Sequence, residues 1–196
     1  MYEGGNQPTL RVDHSCCFSL CATIGDTSRE PFKVRVEGVN SVVKVMVTYE
    51  SVFGNTKIVA EQIIEGLKEV AGVETVLSEL RGVDLNQLVE FDAILVGSPN
   101  HMGGATRGVR KFINELGKLN LKGKQAALFD TYGGKDYEKV VKKMERQISE
   151  KAPELKLLAP GLSVKVKGMK GPIAEGELPK CKEFGVKIAT LLSHKA

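Results

Sequence analysis

From Val42 onward, short apolar runs alternate with longer stretches in which apolar residues recur every three or four positions. Val42–Tyr49, Ala93–Gly97 and Ala126–Asp130 are nearly unbroken apolar runs, the pattern of strands covered on both faces. Val73–Leu80 and Leu162–Lys167 are strand-length but interrupted, by Glu74, Thr75 and Ser78 in the first and by Ser163, Lys165 and Lys167 in the second. Such interruption suits sheet edges. Helical spacing appears at Val59/Ile63/Leu67/Val70, Val109/Phe112/Ile113/Leu116, Tyr137/Val140/Val141/Met144/Ile148 and Cys181/Phe184/Ile188/Leu191. A short helical turn is also expected around Asp84–Glu90.

Strands alternating with helices predict an α/β protein: a five-stranded parallel sheet with right-handed crossovers, sandwiched between helices in three layers. With the second and fifth strands as edges, the order is 2-1-3-4-5. The loops after strands one, three and four then meet at one end of the sheet, and ligands of open α/β sheets bind at the carboxyl ends of the strands. Residues 1–41 lack helical periodicity and are dense in Gly, Ser, Thr, Asp and Asn. They are expected to form a poorly ordered extension, whose one strand-like stretch is the alternation of Phe32, Val34 and Val36.

Composition narrows the class without deciding it. Hydrophobic residues make up 42% and charged residues 27% of 196, as in a soluble globular protein. No apolar run approaches the roughly 20 residues of a membrane span. The apolar stretch Cys16–Ile24 is short and has no basic segment before it, so no signal peptide is expected. The cysteines, Cys16, Cys17, Cys21 and Cys181, form neither a disulfide framework nor a zinc spacing. Their pattern suits a reducing, cytoplasmic setting, and Cys181 fits a core position. The net charge is +4, with basic residues scattered over helix faces and no aromatic-lined stripe. That argues a solvated surface rather than nucleic-acid binding.

The candidate chemistry lies in the three loops. The first is Ser51-Val52-Phe53-Gly54-Asn55-Thr56, directly before a helix. Ser51 and Thr56 supply hydroxyl donors, Gly54 lets backbone approach an anion, and Asn55 either caps the helix or contacts the ligand. The second, after the third strand, includes Ser98-Pro99-Asn100-His101-Met102-Gly103, small and polar enough to pass beside a flat ring. The third runs over residues 130–136 and includes Thr131-Tyr132-Gly133-Gly134, in which Tyr132 is the aromatic placed for stacking. The other histidines, His14 and His194, lie near the chain ends. No metal site and no catalytic triad or carboxylate pair stands out.

These loops resemble those of the flavodoxin family. The first matches its phosphate loop at Ser51, Gly54 and Thr56 and departs at Phe53. It resembles more closely the Tyr-x-Ser-x-[Phe/Tyr]-Gly-Asn-Thr form of archaeal and anaerobe flavoproteins. The resemblance covers about residues 42–196 and implies an FMN-binding domain, with the sixteen loop residues named above as its cofactor contacts. Because the chain has no tryptophan, His101 or Met102 would cover one face of the ring. The family shuttles electrons between redox proteins in transient complexes, so an electron carrier is expected ahead of a turnover enzyme, with the oligomeric state open. Two alternatives stay open. One is a flavodoxin-like NAD(P)H:quinone oxidoreductase, against which Asn100-His101 stands where that group has Thr-Arg. The other is a flavin-free partner-binding module.

Overall fold

The computed structural model describes residues 42–168 and 170–194; the expectations for residues 1–41 lie outside them. Strands β1 (Val43–Tyr49), β2 (Val73–Glu79), β3 (Ala93–Pro99) and β4 (Gln125–Tyr132) are followed in the chain by two short ones, β5 (Lys156–Leu157) and β6 (Leu162–Lys165). Helices α1 (Asn55–Lys68), α2 (Arg107–Leu116), α3 (Lys139–Lys151) and α4 (Glu177–Ser193) connect or follow them. All pairings are parallel, in the order β2-β1-β3-β4 with β5 and β6 both on the outer side of β4. The 2-1-3-4-5 order therefore holds, and the helical turn expected before β3 is a 3-10 turn at Leu85–Glu90.

The fifth position differs from the single strand Leu162–Lys167 read from the sequence. β5 pairs with Gln125 and Ala126 at the start of β4, while β6 pairs with Phe129–Tyr132 at its end. Between them the chain leaves the ladder. Pro160 has no N–H to give, and Gly161 donates its N–H to the Glu145 carboxylate at 2.7 Å. The chain there presses so close to the sheet that a Cβ at Gly161 would lie 3.0 Å from the Leu128 carbonyl oxygen.

The period of two in the strands divides the apolar residues between two cores. Val45, Val47, Leu95, Ala127 and Phe129 face α1 and α4, whose Ile63, Leu67, Ile188 and Leu192 close that side. Met46, Ile94, Val96 and Leu128 face α2 and α3, against Val109, Ile113, Met144 and Ile148. Cys181 is fully buried in the first core, and its thiol donates to the Glu177 carbonyl oxygen at 3.3 Å. Burial, with the nearby Glu177 charge, pushes this thiol up to about 12, which makes it an unreactive core side chain.

α1 and α4 touch through glycine. A Cβ at Gly66 would collide with the Lys182 carbonyl oxygen, and one at Gly185 with that of Ile63. In an exposed helix interior, Gly→Ala stabilises by about 1 kcal/mol. Here the collision is with rigid backbone and reverses the sign. Gly66→Ala is expected to destabilise the protein by about 1–3 kcal/mol, the usual cost of overpacking, measured by urea unfolding.

Candidate functional site

The β1, β3 and β4 loops enclose a cavity of about 610 Å³ at the carboxyl end of the sheet, within the roughly 300–1,000 Å³ of small-molecule sites. Ser51, Val52, Phe53, Asn55 and Thr56 line it from the first loop. Pro99, Asn100, His101, Met102 and Gly103 come from the second, and Thr131 and Gly133 from the third. Four predicted residues stand outside the lining. Gly54 makes the turn into α1 with φ 84°, and Gly134 makes a turn with φ 67°. Ser98 is fully buried, and its hydroxyl accepts from the Thr106 N–H, closing the second loop onto the start of α2. Tyr132 is buried at the end of β4, with its ring edge-on to Tyr137 at 5.6 Å.

The α1 end of the cavity is built for an anion. Gly54 precedes the helix without a side-chain cap, and the first turn holds no acidic residue. The first helical bond runs from Ile58 N–H to the Gly54 carbonyl, so the N–H groups of Asn55, Thr56 and Lys57 have no intrahelical acceptor. Ser51 Oγ is buried and has no partner. A buried hydroxyl without a partner is costly unless a ligand supplies one. Thr56 and Thr131 share a buried hydroxyl–hydroxyl bond of 3.0 Å across the cavity floor. Asn55 does not cap α1; its amide donates to the Lys170 carbonyl at 3.1 Å, tying the phosphate-type loop to the turn after β6. That tie brings in two lining residues distant in sequence, Val166 and Gly168.

Opposite, the second and third loops are locked together. Asn100 donates from its amide to Asp136 at 2.9 Å and accepts the Gly103 N–H at 2.8 Å. Lys143 Nζ donates to the Gly103 carbonyl at 2.6 Å. His101 and Gly104 exchange backbone bonds around Met102 and Gly103, both at positive φ, 54° and 73°. This tight turn holds Met102 95% exposed at the mouth. Asp136 and Lys139, ion-paired at 3.0 Å, complete the lining. The Asn100 and Lys139 hydrogen bonds hold the Asp136 carboxyl below its ordinary range. Reading the loops as separate segments missed this pair. Its signal was position: Asp136 is the last residue of the third loop and Lys139 opens α3.

Two carboxylates, Glu50 half-buried and Asp130 buried, serve the other helix starts at this end. Glu50, just after β1, accepts from the Thr106 hydroxyl at 2.7 Å, while Thr106 Oγ1 accepts the Val109 N–H and so caps α2. Asp130, fully buried on β4, accepts from the Ser163 hydroxyl at 2.6 Å and the Val141 N–H at 3.1 Å in the first turn of α3. Desolvation pushes the Asp130 carboxyl up to about 6, against the lowering effect of those two bonds.

A family model described as "Flavodoxin domain" matches residues 46–168. The flavodoxin of Clostridium saccharobutylicum is 34% identical over 88 residues, 45% of this chain and 55% of that protein. The NAD(P)H dehydrogenase (quinone) of Geotalea daltonii is 32% identical over 104 residues, 41% of this chain and 51% of that protein. The chain thus spans about half the length of these curated relatives. The solved structure of an archaeal flavodoxin superposes with a TM-score of 0.67 at 29% identity, covering 78% of this chain and all of that one.

Asp130 makes stability depend on pH in a recognisable direction. Its folded pKa is above the unfolded value of 3.8, so its contribution is complete below about pH 4 and lost as pH rises through about 6. Asp130→Asn cannot titrate. Relative to the parent, that variant is expected to gain about 2–3 kcal/mol between pH 4 and pH 7 in urea unfolding, as a carboxyl at about 6 when folded and 3.8 when unfolded implies. A difference that stays constant across that range would contradict the assignment.

Proposed function

Because the chain belongs to the flavodoxin family, whose cofactor is FMN, we propose that residues 42–196 bind FMN in this cavity and carry electrons between redox partner proteins in transient complexes. The observation carrying this reading is the buried, partnerless Ser51 hydroxyl beside the uncapped start of α1. Those donors fit a phosphate. When bound, the flavin supplies reversible uptake of one or two electrons.

The chain's own residues have separate tasks in this reading. Ser51, the free α1 N–H groups and the Thr56 hydroxyl bind the phosphate. Asn100, fixed at both ends of its amide, and the backbone of Gly103, Thr131 and Gly133 orient the ring. Val52, Phe53 and Met102 are 62%, 48% and 95% exposed, and their side chains exclude water at the mouth. Lys139 places a cation in the lining. We place the protein in the cytoplasm on its cysteine usage; among the described residues no helix is long and apolar enough to cross a membrane.

A second reading, NAD(P)H-dependent quinone reduction, draws support from the similarity to the Geotalea daltonii enzyme. Sustained turnover of NAD(P)H with a quinone would favour it; slow, stoichiometric oxidation favours the carrier.

Ser51→Ala separates binding from folding, because its hydroxyl bonds to nothing in the protein. The variant is expected to keep its unfolding midpoint and lose about tenfold in FMN affinity, the worth of one hydrogen bond to a charged group, by flavin-fluorescence titration. Thr56→Val should also weaken FMN, with a stability loss because it leaves the Thr131 hydroxyl unpaired. Unchanged affinity in both variants would remove the phosphate-loop assignment. Reduction adds negative charge to the ring, which a nearby cation favours. Lys139→Gln is therefore expected to lower the midpoint potential of the FMN-loaded protein in a redox titration.

A further inference from the structure

The positive charge, scattered along the sequence, is gathered in space. α2 and α3 together carry eight Lys/Arg against three Glu; α1 and α4 carry five against four. Arg107, Arg110 and Lys111 make the solvent side of α2 cationic, and among the described residues no ion pair engages them. Arg81, on the turn after β2, joins Arg107 and Lys111 around a groove of about 660 Å³ with Leu80, Val83 and Phe112 among its walls. The two acids in that groove are engaged, Glu50 with Thr106 at 2.7 Å and Glu115 with Lys118 at 2.9 Å. Glu50 keeps its charge, because Thr106 is neutral, but Arg81, Arg107 and Lys111 outnumber it and Glu115, so the groove stays net positive.

Connectivity places the groove against the cofactor cavity. Glu50 lines the groove and the next residue, Ser51, lines the cavity. Arg107 follows Thr106, whose N–H is bound by Ser98 to close the loop that walls the cavity. Both openings lie at the carboxyl end of the sheet, on either side of the end of β1. We propose that this α2 face is the docking surface for an acidic electron-transfer protein, with its carboxylates on Arg81, Arg107, Arg110 and Lys111 and an apolar side chain in the groove. The proposal rests on the electron-carrier reading and adds the sign and site of the partner's contact. Complementary charge steers such encounters and fixes their register. A nucleic acid fits less well, because the aromatic ring in this groove, Phe112, is buried and offers no stacking platform.

The test uses the full chain loaded with FMN, and an acidic plant-type [2Fe–2S] ferredoxin as the probe. In stopped-flow reduction by reduced ferredoxin, Arg107→Gln/Lys111→Gln should slow the bimolecular rate about tenfold at low salt, with the difference fading as salt screens it. Lys68→Gln/Lys187→Gln removes the same charge from the opposite layer and should change the rate less than about twofold. Amide shifts from isotope-labelled protein, read with or without flavin, should fall on α2 and residues 81–85. Equal slowing by both double variants, or shifts confined elsewhere, would overturn the proposal. So would α2 shifts caused by a short single-stranded oligonucleotide and not by ferredoxin. Ferredoxin shifts on α2 without flavin reduction would support the docking surface and overturn the carrier reading.

Discussion

The bare N-terminus of α1 organises this molecule. In a parallel sheet every connecting helix begins at the carboxyl end of the strands, so the positive ends of several helix dipoles converge there. In this chain the others are served by protein groups. Thr106 caps α2 beside the Glu50 carboxylate, Asp130 accepts from the first turn of α3, and α4 carries Glu177 in its own first turn. α1 has neither a side-chain cap nor an acidic residue in its first turn. The unmet demand for negative charge is thus focused at one point, where a buried Ser51 hydroxyl also lacks a partner.

The rest of the site is a consequence of holding that point open. Asn55, released from capping, ties the turn after β6 across the cavity. The Asn100–Asp136 and Lys143–Gly103 bonds weld the second loop to the third, so the two walls form one rigid unit. Asp130 anchors α3 from beneath the third loop at the cost of a buried carboxyl whose proton is held up to about pH 6. Such an arrangement, with supporting polar bonds behind the lining, preorganises a pocket before any ligand arrives.

Much of this architecture was legible in residue order because its causes are local. Two-sided burial makes Val45–Val47, Ile94–Val96 and Ala126–Phe129 apolar without a break, and helical period marks most core positions of the four helices, although Tyr137 stands before α3 and is exposed and Leu192, not Leu191, enters the core. The polar interruptions of β2 identified an edge. The loop residues Ser51–Thr56 and Asn100–Gly103 were visible as punctuation between a strand and a helix. What each one does was less visible. Ser98 and Tyr132 have the residue types of ligand contacts, yet they face the protein interior, because the alternation of strand side chains continues to the strand ends.

Residue order is enough for the element types, the two-core sandwich and the segments from which the cavity is made, since period and turn chemistry act between near neighbours. The tertiary structure alone decided the split of the last edge strand, where Glu145 draws Gly161 off the ladder. It also decided the entry of Asp136, Lys139, Val166 and Gly168 into the lining, and the gathering of scattered lysines and arginines onto the α2–α3 layer. Each of these depends on which helix crosses to which face of the sheet. That choice is made by the crossovers and by packing between residues far apart in the chain, and local pattern does not record it.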